Sequence, residues 1–289
     1  MKLSIFLLVL MVSSIAIVSG STFVILNNLV EFEKESTVNS LRINSIDFSR
    51  LISLDLNERI SDVQLLASPN SPLLSTQLTL DEKRDYLLLF LTNYPGFDSF
   101  SVYDKDGQKI IDTRNLGIGT NISKSGVFQQ TVENSFYYDT YPLAVNSLEM
   151  SAISNVLPIL RFSSTLSTVD GEFAGIVVAN YSIFSLFQTL LESSDPQFQY
   201  ALLNSDAVNV ATSKNFNNLE HDLHGSLSIN DVDTYGNFII STSTLPEVGR
   251  YTENPDLLII VQIDKSLAFQ EINSQQQFLQ IITLSTLIG

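Results

Sequence analysis

The chain of 289 residues contains no cysteine and no tryptophan, two histidines, and 15 Lys plus Arg against 31 Asp plus Glu. Without cysteine there is no disulfide, no thiolate metal site and no cysteine nucleophile, and the usual redox clue to compartment is lacking. The shortage of basic residues argues against nucleic acid as a partner, because neutralising phosphates needs clustered Lys and Arg. Also missing are a Gly-rich phosphate loop, a Gly-x-Ser-x-Gly elbow and a zinc-protease motif, so no enzyme activity and no cofactor are expected. Glu220, His221, Asp222 and His224 carry metal-ligating groups, but their surroundings read as a loop and no metal site is expected. What is present is 44% hydrophobic residues, enough for a buried core despite a net charge of −16.

Charge is absent from both ends. Leu3 to Leu26 carries none and is mostly Leu, Ile, Val, Phe and Met. At about 1.5 Å per residue such a helix crosses a bilayer core of roughly 30 Å. A cleaved signal peptide is the rival reading, since Lys2, the apolar run and Val18-Ser19-Gly20 resemble its three regions. The apolar run resumes at Phe23-Val24-Ile25-Leu26 and feeds a helical pattern without a break, which favours a transmembrane helix over residues 3–27. From Ile272 to Gly289 charge is absent again, and Phe278 to Leu284 reads as the start of a second transmembrane helix that the chain does not complete. Every charged residue except Lys2 lies between Glu31 and Glu271. The positive-inside tendency then places residues of about 28–277 outside the cell, with the membrane as a partner.

Between the ends the pattern predicts an α+β protein. Residues 28–68 lack Pro and Gly until Pro69, and apolar residues recur at Leu41, Phe48, Ile52, Leu56, Ile60, Val63 and Ala67 in helical steps, predicting a long stalk helix. Its stripe suits packing on its own domain and, nearer the membrane, on a partner subunit, so a homodimer through the stalk is expected. Thr79 or Asp81 caps a second helix ending at Tyr94-Pro95. Phe97 to Asp112 reads as a hairpin turning at Asp104-Lys105-Asp106-Gly107, where the acids serve the turn rather than a calcium loop, whose other ligands are missing. Ser125 to Ser135 reads as a short helix and Phe136 to Pro142 as irregular aromatic chain. Glu149–Leu160, Arg161–Thr168 and Phe173–Tyr181 read as strands, and Ile183–Leu191 as a connecting helix. Residues 196–264 repeat the theme in miniature, and a helix begins at Lys265.

This sequence resembles the double Cache sensor domains of prokaryotic transmembrane receptors. The residues that carry the resemblance are Tyr94-Pro95-Gly96-Phe97-Asp98-Ser99-Phe100-Ser101-Val102-Tyr103-Asp104 with Gly107 and Ile110, and Val169-Asp170-Gly171-Glu172-Phe173-Ala174-Gly175-Ile176-Val177-Val178-Ala179-Asn180. The resemblance implies two PAS-like subdomains with antiparallel sheets, a membrane-distal one at 79–192 and a membrane-proximal one at 196–264, with residues 265–289 entering the second membrane segment. It implies that a small extracellular ligand binds the distal subdomain and biases a helical dimer. That dimer would drive a cytoplasmic kinase, chemotaxis or cyclase module lying beyond this sequence. A membrane-anchored structural or adhesive protein that senses no small ligand is the alternative.

The same resemblance maps a ligand site onto Tyr137, Tyr138, Asp139, Tyr141, Arg161 and Asn180. Phenols and a carboxylate so grouped suit a small polar ligand, with Asp139 able to hold an amine. The subfamily that binds amino acids carries an Arg-x-Trp-Tyr motif before this loop and an Asp near position 180. This chain has Phe136-Tyr137-Tyr138-Asp139 and Asn180 instead, so an α-amino acid held in that manner is not expected and the ligand class stays open.

Overall fold

The computed structural model describes residues 2–94, 96–142, 158–192, 194–203, 209–213, 216, 232–245 and 257–270, together with 274, 277, 278 and 281. Helix α1 runs from Lys2 to Leu66 as one unbroken element of 65 residues. Its only glycine is Gly20 and its first proline follows at Pro69, where an absent N–H stops further helix. Leu41, Ser45, Phe48, Ile52, Leu56, Ile60 and Val63 are all buried, at steps of three and four that share one helix face. The stretch 3–27 belongs to this helix, and Ile5, Phe6, Val9, Leu10, Val12, Ile17, Phe23, Val24 and Ile25 are all more than half exposed. Among the described residues no helix is long and apolar enough to cross a membrane. Several side chains of the 3–27 run, and nearly all residues beyond 270, lie outside that description.

A 3-10 turn at Pro72–Leu74, capped by Ser71, follows α1. Helix α2 follows over Leu80–Asn93. Thr79 opens it: its hydroxyl accepts from the Glu82 N–H at 3.3 Å, and the Glu82 carboxylate accepts from the Thr79 N–H at 2.8 Å. This reciprocal box satisfies two of the donors that a helix start leaves without partners.

Two five-stranded antiparallel sheets follow. The first is built from β1 (Phe97–Asp104), β2 (Lys109–Asp112), β3 (Phe136–Pro142), β4 (Pro158–Ser167) and β5 (Phe173–Tyr181), in the order β2-β1-β5-β4-β3. Helix α3 (Gly126–Asn134), N-capped by Ser125, lies between β2 and β3 in sequence. Helix α4 (Ile183–Glu192) leads to the second sheet, in which β6 (Gln199–Leu203), β7 (Asn209–Thr212), β8 (Val232–Tyr235), β9 (Phe238–Thr244) and β10 (Leu258–Asp264) take the order β7-β6-β10-β9-β8. The one-turn helix α5 spans Lys265–Ala268.

The structure corrects the strand reading in three places. Phe136–Pro142 is not irregular but strand β3, and Val232–Tyr235 adds β8, which the sequence pattern did not reveal. Leu160 and Arg161 are not a boundary between strands; both lie inside β4, and residues 149–157 lie outside the described residues. The reason is pairing: β4 is hydrogen-bonded on both sides, to β3 and to β5, so its register is set by neighbours rather than by local turn signals.

A single apolar cluster runs along α1 and joins one face of each sheet. Phe100, Phe162 and Val177 enter it from the first sheet, and Tyr200, Ile259 and Val261 from the second. Phe48 of α1 stacks on Tyr200 at 4.6 Å and meets Phe187 of α4 edge-on at 5.4 Å, so the second sheet and the connecting helix converge on one ring. The second sheet meets α1 at Ser45, whose hydroxyl shares a 2.9 Å hydrogen bond with Ser241. The first sheet meets it at Asp55, which accepts from Tyr181 at 2.5 Å. Ten residues separate these contacts, about 15 Å along the helix, and the first sheet is the further from residues 3–27. At Gly175, φ is +144°, and a Cβ would lie 2.0 Å from the Tyr103 carbonyl oxygen. Only glycine lets β5 approach β1 there.

Candidate ligand-binding face

Strand alternation divides the first sheet into an apolar face, turned to α1, and a polar face. Register places Asp139 of β3 opposite Arg161 of β4, Arg161 opposite Asn180 of β5, and Asn180 opposite Ser99 of β1. These four therefore form one row across four strands, on the face away from the core. The next row on that face carries Tyr137, Ser163, Val178, Ser101 and Asp112.

At the centre of the first row is an ion pair. The Arg161 Nε donates to Asp139 Oδ1 at 2.9 Å and its second guanidinium nitrogen donates to Asp139 Oδ2, a bidentate fork. The two side chains keep 20% and 24% of their exposure, so the pair is accessible from solvent without being a surface pair. Asn180 Nδ2 donates to Ser99 Oγ at 2.9 Å, which fixes the direction of its amide. Beside the pair, burial pushes the Tyr137 phenol above its ordinary range, and the neighbouring Asp139 carboxylate adds to that while Arg161 opposes it. Tyr137 is thus a neutral donor at every physiological pH.

Helix α3 covers the other end of this face. Phe128 packs with Tyr103, Ile176 and Val178 in a small apolar cluster, and Thr131 is hydrogen-bonded to Ser163, whose hydroxyl also donates to the Tyr137 carbonyl at 3.0 Å. The serines at 99, 101 and 163 are all buried, and their small side chains leave the long groups of Arg161 and Tyr137 standing above the sheet. In the second row Asp112 is fully buried. Burial raises its carboxyl, but donation from Lys109 at 3.0 Å, Ser101 at 2.8 Å and the Leu116 N–H outweighs that and holds it below the ordinary value.

Of the residues expected from the sequence, the fold brings Tyr137, Asp139, Arg161 and Asn180 together on this face. Tyr138 is turned the other way: it is 5% exposed, lies in the main apolar cluster and sits 6.3 Å from the rings of Phe136 and Phe162. Adjacent residues of a strand cannot line the same face, which separates Tyr138 from its neighbours on either side. Tyr141 is in β3 opposite Ile159, and its side chain lies outside the described residues. Ser99, Ser163 and Thr131 were not anticipated. Serine and threonine carry no sequence signal for a site; register places Ser99 and Ser163 on this face, and the packing of α3 brings Thr131 to Ser163.

The described clefts lie elsewhere. One of about 670 Å³ opens between Ser36 and Ser40 of α1, Ile263 of β10, Leu267 of α5 and Asp195 and Gln197 before β6. Another, of about 400 Å³, lies on α1 between Phe32 and Ile43. Neither touches the polar face. Among the described residues no group of three or more His, Asp or Glu could hold a metal, and residues 220–224 lie outside them.

No family model and no curated protein matches this sequence. Solved structures do. The ligand-binding domain of the Campylobacter jejuni chemoreceptor Tlp3, in complex with 4-methylisoleucine, superimposes with a TM-score of 0.63 at 10% identity, covering 82% of this chain and 94% of that one. The ligand-binding domain of the Pseudomonas aeruginosa amino acid chemoreceptor PctC, in complex with GABA, gives 0.56 at 13% identity over 78% and 100%. That of the Pseudomonas fluorescens chemoreceptor CtaA, in complex with L-isoleucine, gives 0.58 at 14% identity over 82% and 96%. The architecture here is therefore the one these receptors use for their ligand-binding domains, as the resemblance in the sequence implied.

Proposed function

We propose that this chain is the extracytoplasmic ligand-sensing region of a transmembrane signalling receptor. A small ligand binds the polar face of the first sheet, in a membrane-distal subdomain of residues 79–192, above a membrane-proximal subdomain of residues 196–264. The observation that carries this reading is the row Ser99, Asn180, Arg161 and Asp139 with Tyr137 beside it. A semi-exposed guanidinium and carboxylate of opposite sign, flanked by an amide and a phenol, suit a small polar ligand bearing an ionised group. Such a ligand exchanges the internal ion pair for contacts of its own, so the cost of desolvating Arg161 and Asp139 has already been met in the empty protein. The neighbouring solved domains are ligand-binding ones, which favours sensing over catalysis.

Residues 3–27 of α1 form the membrane anchor in this reading. Its support is the uncharged run of the sequence and the exposed Ile, Val, Leu and Phe side chains along the helix. The stalk continues as a dimer contact. Leu29, Phe32, Ile43 and Ile46 are exposed on the side of α1 opposite Leu41, Phe48 and Ile52, two pairs three residues apart and three helical turns from each other on one face. Ligand can bias an output module only by its differential affinity for two arrangements of that dimer.

The test is a thermal-shift screen of the full chain in lipid nanodiscs, against small carboxylates, amines and zwitterions. At about 100 times its dissociation constant a bound compound adds roughly 2.7 kcal/mol to stability. The expected result is at least one such shift, absent in Arg161→Ile. If no compound of any class shifts the transition, the alternative of a surface-anchored protein without small-ligand sensing takes its place.

A further inference from the structure

Besides the apolar cluster, a hydrogen bond at one strand end joins the first sheet to the stalk helix. Asn180 and Tyr181 are consecutive on β5, so alternation sends them to opposite sides of the sheet. Asn180 stands in the Arg161 row, tied to Ser99. Tyr181 is 2% exposed and its hydroxyl donates to the Asp55 carboxylate of α1 at 2.5 Å, a short charge-assisted bond. Asp55 also faces Arg59 at 3.7 Å, and the same guanidinium holds Asp62 at 2.8 Å and Glu58 at 3.1 Å. Three carboxylates thus share one cation, and Tyr181 supplies Asp55 with a donor from outside the helix.

The contact is narrowly placed. Arg59 lies over the Phe97 ring at 5.9 Å, and Phe97 pairs in register with Tyr181, their rings 5.5 Å apart. Gly96, with φ of +102°, lets the chain before β1 pass so close that a Cβ there would meet the Tyr181 ring at 2.6 Å. Beyond Tyr181 the chain enters α4, whose Phe187 meets α1 again at Phe48.

We propose that the Tyr181–Asp55 hydrogen bond is the positioning link through which the state of the polar face is passed to the stalk helix. This rests on the ligand-face assignment above and names how that face is read. A hydrogen bond to a half-buried carboxylate is made or lost over a fraction of an ångström, and losing it leaves Asp55 with only a share of the Arg59 charge, which Glu58 and Asp62 also claim. It therefore behaves as a two-position element rather than a graded spring. Tyr181 acts through Asp55 and touches no ligand.

The experiment needs no ligand, so its failure is distinct from failure of the binding screen. Amide hydrogen exchange is measured on the full chain in nanodiscs for the parent protein, Arg161→Gln, Tyr181→Phe and the double variant. The expected result is that Arg161→Gln speeds exchange of residues 52–60 of α1 about fivefold. In the Tyr181→Phe background the same change adds less than about twofold. Asp55→Asn, which keeps an acceptor for the phenol, preserves the response, whereas Asp55→Leu removes it. Residues 82–92 of α2, which pack on the same sheet, serve as the reference for general loosening. Equal effects of Arg161→Gln with and without the Tyr181 hydroxyl overturn the proposal. So does a Tyr181→Phe effect of the same size in α2 as in α1.

Discussion

The two sheets are the same lattice with different chemistry at equivalent points. Where the first sheet aligns Ser99, Asn180, Arg161 and Asp139, the second aligns Gln199, Gln262, Ile240 and Asp233 in the same strand order. Each row has a hydrogen bond between its first two members, at 2.9 Å from Asn180 to Ser99 and at 2.8 Å from Gln262 to Gln199. The third position differs in kind. Arg161 pairs with a carboxylate, whereas Ile240 is fully buried in an apolar cluster with Ala201, Leu203 and Ile260. One sheet thus presents an ionic centre on its outer face and the other seals that face with hydrocarbon. The strand order is shared, and the chemistry at the third position of the row is what differs.

The strongest way to break this comparison is to exchange that position. Ile240→Arg puts a guanidinium into a site of zero exposure, and a loss of about 4 kcal/mol in denaturant unfolding is expected, since an unpaired buried charge is among the largest single-residue penalties. A loss under about 1 kcal/mol would mean that Asp233 can take the role of Asp139 and that the two faces are interchangeable. The reverse change, Arg161→Ile, strands Asp139 at a partly exposed site and costs about 2 kcal/mol. Together with Asp139→Asn the cost falls, because the stranded charge goes with it.

The two outer and inner carboxyls of the first sheet region sharpen the comparison through pH. Asp112 is held below its ordinary 3.8 by Lys109, Ser101 and Leu116, against the upward push of burial. Its contribution to stability is therefore present above about that ordinary value and lost as pH falls through the lowered one. Asp55 is the opposite case: burial raises it above 3.8, more than the Tyr181 hydroxyl and Arg59 lower it. The folded state then holds that proton more tightly than the unfolded chain, so its contribution declines as pH rises from 3.8 through the raised value. Denaturation midpoints followed from acid to neutral pH should show a flatter acid limb in Asp112→Asn and a steeper rise with pH in Asp55→Asn. The smallest expected effect is that of Thr79→Ala, which removes the α2 capping box at about 1 kcal/mol and leaves both faces as they were.

Much of this architecture was legible beforehand. The long helix followed from apolar steps of three and four ending at two prolines, and β1, β5, β6 and β10 from alternation or buried apolar runs between turns. β3 was not, because Phe136-Tyr137-Tyr138-Asp139 is aromatic on both faces and shows no apolar and polar alternation. Its inward pair, Phe136 and Tyr138, fills the core, while Tyr137 and Asp139 face outward. β8 is four residues long at a sheet edge, too short for any period to show. For the site, Tyr137, Asp139, Arg161 and Asn180 were named from a resemblance, whereas Ser99, though within the stretch that carries it, and Tyr181 were given no role and became visible only as partners.

By itself, then, the sequence determined the uncharged ends, the acidic middle, the continuous helix and the strands with clear alternation or apolar runs, because each is a local matter of hydropathy, propensity and turn chemistry. The tertiary structure alone decided which side chains meet. A one-residue change of register turns every side chain to the other face, and β1, β5, β4 and β3 are brought together from distant positions in the chain, Phe97 pairing with Tyr181. That pairing placed Arg161 between Asp139 and Asn180, turned Tyr138 into the core, and set the Tyr181 hydroxyl against the stalk at Asp55.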